Sequence, residues 1–225
     1  MDIFFDKAEA RFGERLILEP ISLRLTQRRI GIVGLNGSGK TTFSRMINGL
    51  VQPAAGRVLT NGCDTTKDAA RVRAMVGYIF QNPANQIVLP LIRDDIALGL
   101  QSRRLGKAER DEAVMAALDR VGATHLADRR AHELSGGEVQ LAALAAVLAT
   151  APGLVIMDEP TNQLDLKNRN RVARIIGGLA EDVIVISHDL SLLADFERVL
   201  LFDEGRLIHD GPVAETLARY RALAG

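Results

Sequence analysis

The sequence predicts an α/β protein: a mostly parallel sheet with helices on its faces, antiparallel strands near the N-terminus and an inserted helical subdomain. Three observations predict it. Short apolar runs at 29–33, 76–80, 154–157 and 183–186 read as core strands, each followed by a loop and a helix-compatible stretch. Residues 82–134 carry no convincing β pattern. The length of 225 residues suits one large domain, enough to bury a sizeable core. The expected division is a core of residues 1–81 and 135–225 with a helical subdomain at 82–134.

The elements follow in order. Ser22-Leu23-Arg24-Leu25-Thr26 alternates apolar and polar, as a half-buried strand does. The run at 29–33 ends at a glycine, then a Gly-rich turn leads into a helical stretch at 40–50. Residues 107–120 show helical periodicity, with Ala113, Ala117, Leu118 and Val121 on one side. The longest apolar run, 141–149, falls well short of the roughly 20 residues a spanning helix needs, so it reads as a buried core helix. Runs at 199–202 and 206–209 flank Asp203-Glu204-Gly205 as a short hairpin, and Pro212 opens a last amphipathic helix from its first turn.

Bulk composition narrows the function classes. Lys+Arg and Asp+Glu are 28 each, so no global basic field points to nucleic acid, and no nucleic-acid partner is expected. The single cysteine, Cys63, allows no intrachain disulfide and fits a reducing compartment. Met1-Asp2-Ile3-Phe4-Phe5-Asp6 lacks a basic n-region and a long apolar run, so no signal peptide is expected. If the protein acts at a membrane, other chains do the spanning.

Gly34-Leu35-Asn36-Gly37-Ser38-Gly39-Lys40-Thr41 matches the phosphate-binding P-loop pattern G-x-x-x-x-G-K-T, placed between a predicted strand and a predicted helix. Polyphosphate is densely anionic and must be held without steric hindrance. Gly37 and Gly39 let the backbone approach and aim its N–H groups inward. The helix starting near Lys40 turns its positive end to the phosphates. Lys40 supplies a mobile charge, Thr41 a hydroxyl for Mg²⁺, and Asn36, Ser38 and Thr42 complete the candidate set for a nucleoside triphosphate, which is all that the loop by itself specifies. A bare glycine-rich turn is the alternative.

Leu154-Val155-Ile156-Met157-Asp158-Glu159 is an apolar strand ending in two acids, where ligands of open α/β sheets sit. Asp158 is placed to hold Mg²⁺, and Glu159 to act as general base on the attacking water. The alternative is an acidic cap on the following helix. A third strand ends in Ser187-His188-Asp189, where His188 would reach the γ-phosphate, or where Ser187 or Asp189 merely caps a helix.

Leu134-Ser135-Gly136-Gly137-Glu138 resembles the signature motif of ABC ATPases. The motifs stand in that family's order across essentially the whole chain: P-loop, Gln81 after a strand, signature, acidic strand end, Asn162-Gln163-Leu164-Asp165, then His188. The resemblance implies a P-loop NTPase core that hydrolyses ATP with Mg²⁺. It implies that Phe12 stacks on adenine rather than serving as a core side chain. Gln81 would contact Mg²⁺ and the lytic water, and His188 would orient the γ-phosphate. Ser135, Gly136 and Gly137 would bind ATP held by a second ABC protomer, in a homodimer, and Asp165 would cross the dimer interface. Two positions depart from the pattern: Glu138 stands where glutamine is usual, and Val139-Gln140-Leu141 lacks the usual arginine.

The stretch Phe80-Gln81-Asn82-Pro83-Ala84-Asn85-Gln86-Ile87, with Arg93-Asp94-Asp95-Ile96 beyond it, resembles the energy-coupling-factor branch, which imports vitamins or transition-metal ions. That branch implies a transmembrane coupling protein and a small substrate-binding membrane protein as partners, and a peripheral place on the cytoplasmic face of the cell membrane. Ala84 replaces a usual acid there. Asp94 and Asp95 also read as a helix cap and a first-turn acid pair. The short C-terminus looks like the ATPase of biotin uptake systems, with cobalt and nickel systems similar at this level. A soluble ABC ATPase of protein assembly, such as iron–sulfur cluster assembly, is the alternative. A ribosome- or DNA-acting ABC protein is disfavoured by the single cassette and the zero net charge.

Overall fold

The computed structural model describes residues 1–225, apart from the Ser102 side chain. β1 (Ile3–Phe12) and β2 (Arg15–Leu25) form an antiparallel hairpin. In β1 the side chains of Ile3, Phe5, Ala8 and Ala10 turn inward, the alternation of a sheet with one wet face. β3 (Arg29–Gly34) and α1 (Lys40–Ile47) follow, then β4 (Ala55–Thr60), the two-residue β5 (Cys63–Asp64), α2 (Ala69–Met75) and β6 (Val76–Ile79). β4 returns antiparallel to β1, giving a four-stranded sheet in the order β2-β1-β4-β5. α1 ends earlier than its sequence pattern, because Asn48 caps it and Gly49 adopts φ 72°.

After β6 come α3 (Ile92–Gly99), α4 (Lys107–Arg120) and α5 (Gly136–Ala149), with an isolated bridge between Leu91 and Arg130 and, among the described residues, no named strand between β6 and α5. Asp94 and Asp95 do occupy the first turn of α3, but neither is its cap. Leu91 holds that position, and Asp95 Oδ1 instead accepts the Val88 and Leu89 amides at 2.7 and 2.9 Å. β7 (Leu154–Asp158), α6 (Leu166–Gly178), β8 (Asp182–Ile186), β9 (Arg198–Asp203), β10 (Arg206–Gly211) and α7 (Val213–Ala224) complete the chain. Pro212 stands just before α7 rather than inside its first turn.

The second sheet has six strands in the order β10-β9-β3-β8-β7-β6. All neighbours pair parallel except the β9–β10 hairpin. Burial on both faces explains why these strands read as unbroken apolar runs. Leu154 and Ile156 of β7 join one core with Phe5, Phe43 and Phe202, beneath the antiparallel sheet. Val155 and Met157 join the other core with α3, α4, α5 and α7. Phe5 stacks on Phe43 at 4.5 Å, and Phe43 meets Phe202 at 4.9 Å. The expected buried helix at 141–149 is the body of α5. Among the described residues no helix is long and apolar enough to cross a membrane. The carboxyl ends of β3, β6, β7 and β8 open on one edge, where the candidate residues collect.

Candidate nucleotide site

The turn between β3 and α1 has the backbone its glycines permit. Gly37 and Gly39 adopt φ 79° and 96°, a region costly for residues with a Cβ. A Cβ on Gly39 would lie 2.5 Å from Leu18, whereas one on Gly37 would meet nothing within 4 Å. The loop is thus close-packed behind and open in front. Asn36 and Gly37 are exposed, Ser38 is buried, and Thr41 and Thr42 are half-buried on the first turn of α1. Lys40 is folded onto the loop, donating from Nζ to Gly34 O at 2.8 Å and Leu35 O at 2.7 Å. Burial pulls the Lys40 ammonium below its ordinary range, against the attraction of Glu159 and Asp158. An incoming anion would repair that desolvation.

Thr41 Oγ1 donates to Asp158 Oδ2 at 2.9 Å, tying α1 to the end of β7. Tyr78 Oη donates to the same oxygen at 3.4 Å and lies 2.9 Å from Ser44 Oγ. Asp158 is 1% exposed, and burial raises its carboxyl above the ordinary range. These two oxygens suit Mg²⁺, which takes one or two protein ligands and fills its octahedron with water and phosphate oxygens. Among the described residues no group of three His, Cys, Asp or Glu could hold a metal by protein ligands alone.

Glu159 sits at φ 52°, where a non-glycine residue is uncommon, with its amide held by Ile186 O at 2.9 Å. Its Oε2 accepts the His188 amide at 3.2 Å. Its Oε1 is buried without a hydrogen-bond partner, 3.2 Å from His188 Nε2 but outside bonding geometry. Burial pushes the Glu159 carboxyl up, partly offset by His188. A carboxylate with a raised pKa and an open oxygen is equipped to take a proton from water. The helix-cap alternative for these acids fails, since α6 begins at Leu166 and Asp165 caps it. Asp189, by contrast, does cap the short 3₁₀ turn that follows His188, accepting the Ser191 amide at 3.2 Å.

The other candidates take separate places. Phe12 closes β1 beside the Gly13-Glu14 turn and is 84% exposed, so it is no core residue. Gln81 lies just beyond β6, exposed and without a hydrogen bond among the described residues; β6 ends with Ile79 paired to Met157, so Gln81 follows the same carboxyl edge of the sheet that Glu159 follows. Ser135 caps α5, while Gly136 and Gly137 form its first turn. Gly137 packs on Asn168, whose Nδ2 donates to Asp165 Oδ2 at 3.1 Å. The signature turn therefore belongs with the start of α6, and its contacts run to Glu138 and Asn168, not to the P-loop.

Two neighbours carry no signal in the sequence as site residues, and a third, Gln86, stands there only within the stretch at 80–87. Tyr78 reaches Asp158, Tyr220 reaches His188 Nδ1 at 2.9 Å, and Gln86 brackets the end of β6. Gln86 accepts the Phe80 amide and donates to Tyr78 O, both at 2.9 Å. A cleft of about 490 Å³ opens beside Glu159 and His188, lined also by Asn162, Gln163 and Arg169.

A phosphate-cradling loop, an acid pair at the end of β7 and a serine-capped glycine turn define an ATP-binding cassette, and the comparisons agree. The ABC transporter family model matches residues 18–162, and the chain belongs to that family as an ATP-hydrolysing subunit. It is 61% identical over 224 residues to the biotin transport ATP-binding protein BioM of Rhizobium etli, covering 100% of both chains. It is 35% identical over 218 residues to the energy-coupling factor transporter ATP-binding protein EcfA1 of Latilactobacillus sakei, covering 94% of this chain and 78% of that one. Among solved structures, cbiO1 of Clostridium perfringens, part of the ABC transporter complex cbiONQ, superposes with TM-score 0.85 at 27% identity, covering 99% and 92%.

Proposed function

We propose that this chain energises biotin import as the ATPase of an energy-coupling-factor transporter. The observation that carries the substrate is the 61% identity to BioM across the full length of both chains. The observation that carries the chemistry is the convergence of Lys40, Thr41, Asp158, Glu159 and His188 at one sheet edge.

Lys40 leaves its two carbonyls to meet the β- and γ-phosphates, while the Gly37–Gly39 amides line the cradle. Phe12 stacks on adenine. Mg²⁺, held by Thr41 and Asp158, would neutralise phosphate charge, and Gln81 swings in from the β6 edge toward it. Glu159 Oε1 takes the proton of water as its oxygen attacks the γ-phosphorus and the bond to the ADP oxygen breaks. His188 orients the γ-phosphate. Two copies of the chain close head to tail, so that Ser135, Gly136 and Gly137 of one cover the ATP of the other, and Asp165 sits at the seam.

The docking place for the coupling protein is a groove of about 390 Å³ lined by Leu50, Tyr78, Phe80, Gln86, Val88 and Leu98. It is apolar and open, with Val88 73% exposed, and lies between the α1 end and the helices at 82–134 that we take as a unit. Through it the ATPase sits peripherally on the cytoplasmic face of the membrane.

The test is reconstitution of the chain with its co-purifying membrane proteins in vesicles, followed by labelled biotin uptake with ATP. Uptake that stops with Lys40→Ala supports the proposal. Uptake of cobalt or nickel instead overturns biotin while leaving import intact. Capture of soluble scaffold proteins alone overturns import.

A further inference from the structure

We infer that Tyr220, on the last helix, is the positioning residue that fixes the His188 imidazole with its proton on Nε2, the edge facing Glu159. The inference rests on the reading of His188 as a γ-phosphate contact. The geometry has two parts. Tyr220 Oη lies 2.9 Å from His188 Nδ1. On the opposite edge, His188 Nε2 lies 3.2 Å from Glu159 Oε1.

A carboxylate oxygen 3.2 Å away, although outside hydrogen-bond geometry, repels a lone pair and favours an N–H on the ring edge turned to it. A neutral imidazole has one N–H, and that choice leaves Nδ1 as a bare acceptor. A phenol hydroxyl is the donor that matches it. The reverse arrangement, Nδ1–H donating to the phenol oxygen, would aim the Nε2 lone pair at the carboxylate. Burial raises the Tyr220 pKa, with Glu159 adding to the shift, so the hydroxyl keeps its proton.

The anchor is buried where the histidine is not. The His188 side chain is 41% exposed, so part of the ring faces solvent. Tyr220 is 8% exposed and packed in the core with Leu193 and Leu217. α7 itself is held by Thr216 Oγ1, which donates to Pro212 O at 2.9 Å and to Val199 O at 3.4 Å. A side chain 32 residues away thus fixes the imidazole against rotation. The Nε2 proton that results is the one a γ-phosphate oxygen would accept.

Two measurements on the full chain test this. Long-range ¹H–¹⁵N spectra above the imidazole titration range report which ring nitrogen bears the proton. The chain has 4 histidines, and the signals missing in His188→Asn assign the ring. The expected result is an Nε2–H pattern in the parent, and a mixed or Nδ1–H pattern in Tyr220→Phe. The kcat of Tyr220→Phe should fall roughly 3- to 10-fold, the worth of one hydrogen bond, with KM for ATP unchanged. An Nδ1–H pattern in the parent overturns the inference whether or not the variant folds. So does a Tyr220→Phe protein with parental tautomer and kcat. If His188→Asn hydrolyses ATP at the parental rate, the reading of His188 itself fails, a result distinct from either.

Discussion

The Ser135 hydroxyl donates to the Glu138 carboxylate at 2.7 Å, and the Ser135 amide donates to the same oxygen at 2.8 Å. The Glu138 amide in turn donates to Ser135 Oγ, at 3.4 Å. This is a reciprocal N-terminal cap, and its hydrogen bonds hold the Glu138 carboxyl below the usual range. It gives the unusual acid a structural task, at the cost of occupying the hydroxyl proposed to meet a phosphate. Glu138→Gln keeps an acceptor for the cap and removes the anion. The ATPase rate should equal or exceed that of the parent, while stability drops by roughly 0.5 kcal/mol from the lost helix-terminus charge. Steady-state kinetics and a Tm decide it, and a large loss of rate would give Glu138 a positive role in turnover.

Glu159→Gln separates chemistry from stability. Without the base, hydrolysis should fall by roughly 100-fold or more, with an ATP-bound dimer accumulating. Because burial raises the folded pKa of Glu159 above its unfolded value, the native state holds this proton more tightly. Ionisation therefore costs native stability, and the cost grows as pH rises from the ordinary carboxylate range through the folded pKa. The nucleotide-free variant should have the higher Tm at about pH 8, with the gap closing toward about pH 4. A parent-like rate would remove Glu159 as the base, and a pH-independent gap would refute the ionisation argument.

Phe12→Ala tests the adenine platform. The ring is 84% exposed, so its removal should leave stability within about 0.5 kcal/mol. Base stacking on an aromatic is worth about 1–3 kcal/mol, so KM for ATP should rise roughly 5-fold or more. Phe12→Tyr should retain the parental KM. Equal KM for Phe12→Ala and the parent would return Phe12 to the status of a surface residue.

Features set by neighbours in the chain were legible. The P-loop turn follows from local glycine chemistry, the parallel strands from apolar runs buried on both faces, and α4 matched its periodicity at both ends. Contacts made by tertiary docking were not. Tyr78 and Tyr220 read as ordinary amphipathic residues, and only the sheet register and the seat of α7 bring them to Asp158 and His188, 80 and 32 residues away. The pairing of β1 with β4 was hidden for the same reason, since β4 carries too little apolar alternation to announce itself. Asp94 and Asp95 do lie in the first turn of α3, and only the cap half of their reading fails, because Leu91 fills the cap position.

Gly137 is the position where packing and proposed function are hardest to separate. A Cβ there would lie 2.5 Å from Asn168 Cγ and 2.7 Å from its Nδ2. The obstacle is a side-chain amide that can rotate away, and alanine gains about 1 kcal/mol of helix propensity, so Gly137→Ala should change stability little. Turnover should nevertheless fall, for one of two reasons. Either the methyl group blocks the approach of the second protomer's phosphate, or the displaced Asn168 side chain releases Asp165, whose Oδ2 now accepts from Asn168 Nδ2 at 3.1 Å. The single variant Asn168→Ala, which breaks the side-chain contact to Asp165 and leaves the glycine intact, distinguishes them. Head-to-tail closure on a bare glycine turn predicts that Asn168→Ala keeps the parental ATPase rate and the ATP-dependent dimerisation measured by size exclusion. An Asn168→Ala protein as impaired as Gly137→Ala would place the defect in the Asn168–Asp165 contact, and the glycine would then serve packing inside one chain.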